Sequence, residues 1–218
     1  MTSTADRTGA ESLSVRLRAA TRAEHDAAQS DGFLEKLMAG GLPRAAYADL
    51  VAQHFFIYES LESAAEAMAD DPVAGVFAFP GLIRMPSLLA DLEFLHGPGW
   101  ADRIAALPAT ASYCARLRRV AFDRSWGFVA HHYTRYLGDL SGGQYVGQAV
   151  ADVYDLERAG GTFFTFDDVD PPAFRTRYRQ LLDAVSWQPA EEQCFLAEVS
   201  EAYRLNIAVL RELRERWS

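Results

Sequence analysis

Apolar residues recur three or four positions apart along most of the chain, which is the spacing of one face of an α-helix. The pattern begins at Ser12, and Pro43 is placed to open a long helix because proline suits a first helical turn. A second long helical pattern covers residues 126–155 and is interrupted by glycines. The sequence has no alternating run long enough to predict a strand, and no internal repeat. We therefore predict an all-α fold with eight or nine helices.

Proline and glycine mark the ends of the other predicted segments. A short helix is expected around residues 33–39, before the first long one. Asp170 is expected to cap a helix that begins at Pro171, and Pro189 opens the last helix. The remaining segments are turns with a brief helix over 73–86, helices over 87–96 and 110–124, and a loop over 159–170.

Length and composition place the chain among globular proteins. Its 218 residues fit one domain, in which residues 1–11 are a loose polar tail and residues 12–218 form the helical domain. The formal net charge of -9 argues against broad electrostatic binding of nucleic acid or of an anionic membrane. No apolar run reaches the roughly 18 residues of a membrane span, so we expect a cytoplasmic protein without a membrane anchor. Cys114 and Cys194 are too few for a disulfide framework and are expected to be small buried residues.

Histidines are the first candidates for chemistry, although a lone histidine in a helix is more often a packed residue than a ligand. The five histidines are His25, His54, His96, His131 and His132. His25 follows Arg18 and Arg22 at helical spacing and has small neighbours. Small residues leave room for a large flat group against that helix.

A glycine-rich stretch, residues 133–144, is the least ordinary feature of the sequence. Gly138, Gly142 and Gly143 lie within a helical pattern, where each costs roughly 1 kcal/mol relative to alanine. Close helix packing or a kink is one explanation. The other is that Gly138 and Gly142, four positions apart, present bare backbone to a ligand.

Polar residues accompany the glycines and occur again near residue 175. Asp139 lies beside the glycine face, and Arg135, four positions earlier, is placed to pair with it. Arg175 and Arg179 are also four positions apart, so they share a helix face and repel each other. Two such cations favour an anion between them, or else belong to a solvated basic face.

These motifs resemble those of the haem oxygenase family over roughly residues 12–216. Four stretches carry the resemblance: residues 17–29, 133–144, 174–182 and 202–213. The resemblance implies a single-domain, multi-helix fold in which haem lies between a proximal helix and a kinked distal helix. On this interpretation the glycine backbone lies against the porphyrin.

The resemblance also implies roles for individual residues. His25 is the expected proximal ligand of the haem iron, and Asp139 is the expected acid that holds a distal water network. Gly138 and Gly142 are expected to crowd the bound oxygen. The expected partners of Asp139 are Tyr58, Arg135 and Asn206. The residues expected to contact the haem ring or its propionates are Arg18, Tyr133, Gly138, Gly142, Gly143, Arg175 and Arg179.

Two positions depart from the family pattern. Arg18 stands where lysine is common, which keeps the charge and adds a planar fork for a carboxylate. Gln29 stands where the family often has a glutamate that accepts the second ring N–H of the proximal histidine. An amide is a weaker acceptor, so the resemblance implies that His25 donates less electron density to the iron.

The implied activity is oxidative cleavage of b-type haem to biliverdin, CO and ferrous iron, with haem as both substrate and cofactor. The reaction uses O₂ and electrons. Because the sequence has no GxGxxG or flavin motif, we expect a separate electron donor such as ferredoxin with its reductase, or flavodoxin. A basic stretch is a candidate docking surface for an acidic donor, or else a solvated helix face. Its residues are Arg116, Arg118, Arg119 and Arg124.

Three other functions are compatible with a helical chain. Carboxylate di-iron proteins need a Glu-x-x-His on each of two helices, and the sequence has one such spacing, Glu93 to His96. We interpret His96 as a cation at a helix carboxyl end. A non-catalytic haem carrier has no need of Asp139 beside two glycines. A helical interaction module leaves the glycines unexplained.

Overall fold

The computed structural model of the protein describes residues 11–24, 32–156 and 159–218. Nine α-helices lie wholly within these ranges and no strand occurs there, which confirms the all-α prediction. The helices are α1 (Leu13–Ala20), α2 (Phe33–Met38), α3 (Arg44–Ala67), α4 (Met85–His96), α5 (Pro108–Val120), α6 (Ser125–Gly138), α7 (Gln144–Tyr154), α8 (Pro171–Ala184) and α9 (Pro189–Arg216). Most of the tail predicted over residues 1–11 lies outside the described residues, and so do His25 and Gln29.

The glycine interruption predicted within residues 126–155 is a π-helical segment, Asp139–Gly143, between α6 and α7. A π-helical turn inserts an extra residue into a helix and occurs frequently at functional sites. Four 3₁₀ turns complete the described elements: Ala74–Phe77, Pro80–Leu82, Trp100–Asp102 and Thr162–Phe164.

Side-chain caps fix the starts of α8 and α9, and the sequence predicted the first of them. The Asp170 carboxylate accepts a hydrogen bond from the Ala173 backbone N–H at 3.2 Å, at the start of α8. At the start of α9, Gln188 and Glu191 satisfy each other's backbone N–H groups in a capping box.

Contacts between elements distant in sequence hold together the helices of the fold. The most extensive packing joins α6 to α9, and α3 packs against both α4 and α5. Asp183 on α8 accepts hydrogen bonds from the backbone N–H and the hydroxyl of Ser14, at 2.8 and 2.9 Å. Arg16 forms an ion pair with Glu192 on α9 at 2.6 Å. These bonds fix α1 against α8 and α9.

The two cysteines differ from each other. Cys114 is buried as expected, but Cys194 is exposed, so that part of the prediction is wrong. The buried face of α9 in this region is formed by Phe195 and Val199, four positions apart, and Cys194 lies to one side of that face. Among the described residues, no helix is both long and apolar enough to cross a bilayer.

A buried carboxylate joins three helices. Glu198 on α9 accepts hydrogen bonds from Arg116 Nε on α5 at 2.8 Å and from His131 Nε2 on α6 at 2.9 Å. Burial alone would raise the pKa of Glu198, but the bonds from Arg116 and His131 outweigh it and lower the pKa to about 2. Burial lowers the pKa of His131, so at neutral pH its imidazole is uncharged and the ion pair is between Glu198 and Arg116.

We expect Glu198→Ala to destabilise the fold by about 3 kcal/mol, because it leaves Arg116 without its counter-ion and His131 without its acceptor. Removing one partner of a buried ion pair usually costs about 3–5 kcal/mol. We expect the lower value here because 24% of the Arg116 side chain is exposed. The depressed pKa also means that this stabilisation is complete above the unfolded value of roughly 4.3 and is lost as the pH falls towards 2.

Urea unfolding from pH 7 to pH 3 measures both effects of the Glu198 substitution. Glu201→Ala is the matched control, because Glu201 forms an exposed pair with Arg204 on the same helix and should contribute less than about 1 kcal/mol. Equal stability losses in the two variants would contradict the role given to Glu198.

Candidate functional site

A pocket of about 880 Å³ opens between α1, the junction of α6 with the π-helical segment, α8 and α9. This volume lies in the range of small-molecule and cofactor sites. Part of its wall is apolar, formed by Leu17, Leu34, Leu50, Val146 and Leu210. Charged and polar residues line most of the rest, so the pocket combines an apolar wall with many polar groups.

Two of the predicted glycines face open space in this pocket. A Cβ atom placed on Gly138 or on Gly142 would meet nothing within 4 Å, and both residues are exposed to the pocket. Gly138 has ordinary helical dihedral angles, φ -61° and ψ -50°, so its backbone does not require glycine. The bare faces of Gly138 and Gly142 therefore leave room for something outside the polypeptide.

The next glycines along the helix serve packing instead. A Cβ atom on Gly147 would lie 2.5 Å from Cβ of Phe164, and one on Gly143 would lie 3.4 Å from Cδ1 of the same residue. Gly143 also lines the pocket, but its missing side chain points at Phe164. Close packing therefore explains Gly143 and Gly147. Bare backbone that faces the pocket explains Gly138 and Gly142.

A buried acid lies between the two pocket-facing glycines in sequence. Asp139 is only 8% exposed and lines the pocket. The Tyr58 hydroxyl on α3 donates a hydrogen bond to its Oδ2 atom. Burial raises the pKa of Asp139, and the charge of Arg135 and the bond from Tyr58 offset part of that rise. The site thus holds a carboxyl group that is easier to protonate than a surface aspartate.

Arg135 lies next to the Tyr58–Asp139 pair and contacts the Tyr58 ring. Its guanidinium donates a hydrogen bond to Asn206 Oδ1 on α9 at 2.6 Å and lies 4.9 Å from the centre of the Tyr58 ring. Arg135 therefore acts on Asp139 through its charge. The hydrogen bond to the Asp139 carboxylate comes from Tyr58. The structure brings together all four residues of the predicted network, Tyr58, Arg135, Asp139 and Asn206.

Arginines surround another part of the pocket. Arg18 on α1 and Arg175 and Arg179 on α8 all line it, as does Tyr133 on α6. Arg175 donates a hydrogen bond to the Leu140 carbonyl at 3.0 Å, which ties α8 to the π-helical segment. Burial raises the pKa of Tyr133, and the nearby charges of Arg179 and Arg18 act against that rise. Such a cluster of cations suits a ligand with carboxylate groups.

Two further pocket residues were not among the predicted site residues, although His54 was one of the five candidate histidines. Arg22, four positions after Arg18, also lines the pocket, and so does His54, four positions before Tyr58. The helical spacing from a predicted site residue is the signal that could have identified both. His25 and Gln29 lie outside the described residues, so the predicted iron ligand remains a prediction.

The alternative of a di-iron centre finds no support in the described part of the chain. It contains no group of three or more histidine, cysteine, aspartate or glutamate side chains that could hold a metal ion. His96 lies at the carboxyl end of α4, as the sequence indicated.

Comparison with known protein families gives a match over almost the whole chain. The family described as "Heme oxygenase" matches residues 11–212. The match includes all of the pocket residues described above.

Individual relatives and solved structures agree with this match. Heme oxygenase 1 of the cyanobacterium Synechocystis is 33% identical over 202 residues, which cover 92% of this chain and 84% of the relative. Human heme oxygenase 1 is 35% identical over 207 residues, covering 93% of this chain and 72% of the relative. The crystal structure of the Synechocystis enzyme in complex with heme superposes with a TM-score of 0.88 at 32% identity and covers 94% of each chain.

Proposed function

The chain belongs to the haem oxygenase family, and from this premise we propose that its pocket binds haem between the segment that contains His25 and the glycines of residues 138–143. The protein is a haem oxygenase, which cleaves haem to biliverdin, CO and ferrous iron with O₂ and electrons. Haem is both its substrate and its cofactor. The all-helical fold agrees with that of the family.

One observation supports this placement more than any other. Gly138 and Gly142 leave open space in front of a helix backbone, directly beside the buried Tyr58–Asp139 pair. A flat macrocycle can approach such a backbone closely, because no Cβ atom stands in the way. The apolar walls suit the porphyrin ring, and the arginines of α1 and α8 suit its two carboxylates. The described residues therefore fit haem.

Bound haem supplies the iron that activates oxygen and the ring carbon that is oxidised. The protein positions the haem ring. Arg18, Tyr133, Arg175 and Arg179 hold the propionates and so fix the rotation of the ring in its plane. The backbone of Gly138 and Gly142 would lie against one face of the ring and would limit the room for a small ligand on that face.

Asp139 supplies protons in this proposal. Its carboxyl group has a raised pKa and lies at the pocket surface, so it can hold a proton at Oδ1 or orient a water that does so. Tyr58 fixes the other oxygen of the same carboxyl group through its hydroxyl. Arg135 and Asn206 in turn keep Tyr58 and the local charge in place.

The assigned reaction is tested by adding haem and ascorbate to the purified protein under air. We expect the Soret band of bound haem to decay while biliverdin absorption grows and one CO is released per haem. Stable binding of haem without ring cleavage would identify a haem carrier instead.

His25 is the residue that we propose as the iron ligand. His25→Ala should lose the absorption spectrum of histidine-ligated ferric haem, and added imidazole should restore it. His131 and His132 are buried and bonded to Glu198 and Tyr178, which leaves His54 as the competing histidine that lines the pocket. An unchanged spectrum in the variant would rule out ligation by His25.

We also propose that a separate acidic protein, such as a ferredoxin or a flavodoxin, delivers the electrons to the basic end of α5. The expected docking surface is smaller than the sequence suggested, because Arg116 is bound to Glu198. Arg118, Arg119 and Arg124 remain exposed. Arg119→Glu should slow turnover driven by the donor protein and leave ascorbate-driven turnover unchanged, with Lys36→Glu as the control. Equal loss with both reductants would contradict docking at this surface.

A further inference from the structure

His54 is a polar residue of the pocket that has no role in the proposed function. Leu50, His54 and Tyr58 are spaced four positions apart on α3, so they form one stripe on that helix. Leu50 and His54 line the pocket, and Tyr58 reaches Asp139. The stripe thus places an imidazole one helical turn from the tyrosine that fixes the acid.

The surroundings of His54 are aromatic. Its ring centre lies 4.8 Å from that of Phe163, and its ring stands edge-on to those of Phe164 and Tyr58. Phe164 packs against Gly143 and Gly147, so through Phe164 the His54 ring lies next to the π-helical segment and the start of α7. No described side chain in this group offers His54 a hydrogen bond.

His54 is 9% exposed, and its Nδ1 atom is buried and makes no hydrogen bond within the described protein. Burying a polar nitrogen without a partner is unfavourable, whereas an apolar side chain of similar size would fill the same space without that loss. Because Nδ1 has no accessible surface, a molecule in the pocket can reach the ring only at Nε2, which also makes no hydrogen bond within the described protein. A histidine at this position therefore points to a polar partner at Nε2 that comes from the pocket.

The imidazole meets that partner in its neutral form. Burial, together with the charge of Arg135, keeps the pKa of His54 well below its usual range. A neutral imidazole has one nitrogen that donates and one that accepts, and a water molecule can bond to either.

We propose that His54 binds a water molecule in the pocket and so forms a second hydrogen-bonding point on the glycine side, separate from the Tyr58–Asp139 pair. This water has a hydrogen atom free to point towards a small ligand on the iron. Hydrogen-bond donors near the open side of a haem decide how polar ligands are held there. The inference rests on the proposed position of haem beside residues 138–143.

The ferrous CO complex of the haem-loaded protein provides the test. A hydrogen bond near bound CO lowers its C–O stretching frequency, so His54→Leu should shift the infrared band to higher frequency. His54→Gln, which keeps a polar group, should bring the band back towards the wild-type position. His96→Leu is the control, because His96 also has a buried unpartnered nitrogen but does not line the pocket. Crystals of the same complex should show a water within hydrogen-bond distance of His54 in the wild type and none there in the leucine variant.

The outcomes separate this inference from the proposed function. If the protein binds and cleaves haem but the leucine variant keeps the wild-type infrared band and no water lies on His54, the inference is wrong and the function stands. If haem does not bind in the pocket at all, the proposed function is wrong.

Discussion

Gly138→Leu is expected to give an apo protein at least as stable as the wild type that binds haem on the order of 100-fold more weakly, a loss of about 2.7 kcal/mol. The apo protein should gain up to about 1 kcal/mol, because Gly138 has helical dihedral angles and glycine is a poor helix former. Haem binding should suffer because the new side chain enters the open space in front of the helix. Urea unfolding and haem titration measure the two effects.

Gly147→Ala is the matched control for this substitution. It also removes a glycine from the same helical region, but its Cβ atom would lie 2.5 Å from Cβ of Phe164. We expect it to destabilise the apo protein by about 1–3 kcal/mol, as overpacking usually does. If Gly138→Leu binds haem as tightly as the wild type, the glycine face is not the haem-contacting surface.

Asp139→Ala is expected to bind haem within about twofold of the wild-type affinity but to form biliverdin at least 100-fold more slowly. A positioned general acid or base typically contributes a factor of about 10²–10⁴. The arginines that we assign to the propionates are untouched, so affinity should persist. Ascorbate-driven single turnover, followed as biliverdin absorption, measures the rate.

Two further variants separate the chemistry of Asp139 from its packing. Asp139→Asn keeps the shape and should be nearly as slow as alanine, because an amide cannot carry the proton. Tyr58→Phe keeps the ring stacked near Arg135 but removes the hydroxyl that bonds to Asp139, so its rate should be intermediate. Biliverdin formation at the wild-type rate in Asp139→Ala would show that the proton comes from another group.

Local signals in the sequence were sufficient for most of the fold. Prolines and caps located α8 and α9, since these signals act within a single helical turn. The glycines located the interruption between α6 and α7, because three of them in a helical pattern are unfavourable unless something compensates. Which glycines face the pocket and which face Phe164 depends on the tertiary structure, so periodicity alone could not decide it.

Contacts between distant segments account for what the sequence did not predict. Asp91 holds the turn at Thr162–Phe164 by accepting hydrogen bonds from two of its backbone N–H groups, and the two segments are 71 residues apart. Glu198 likewise binds Arg116 from a separate helix, which removes that arginine from the predicted docking surface. The spacing of residues along a helix predicts which residues are neighbours within that helix. It does not predict hydrogen bonds between residues of different segments.

A crystal structure of the protein with ferric haem tests the central claim most directly. We expect the iron to be bound by an imidazole nitrogen of His25, the opposite face of the ring to lie against the backbone of Gly138 and Gly142, and the carboxylates to point at the arginines of α1 and α8. Haem bound at any other place, or iron held by His54 with the glycine face uncovered, would contradict the account.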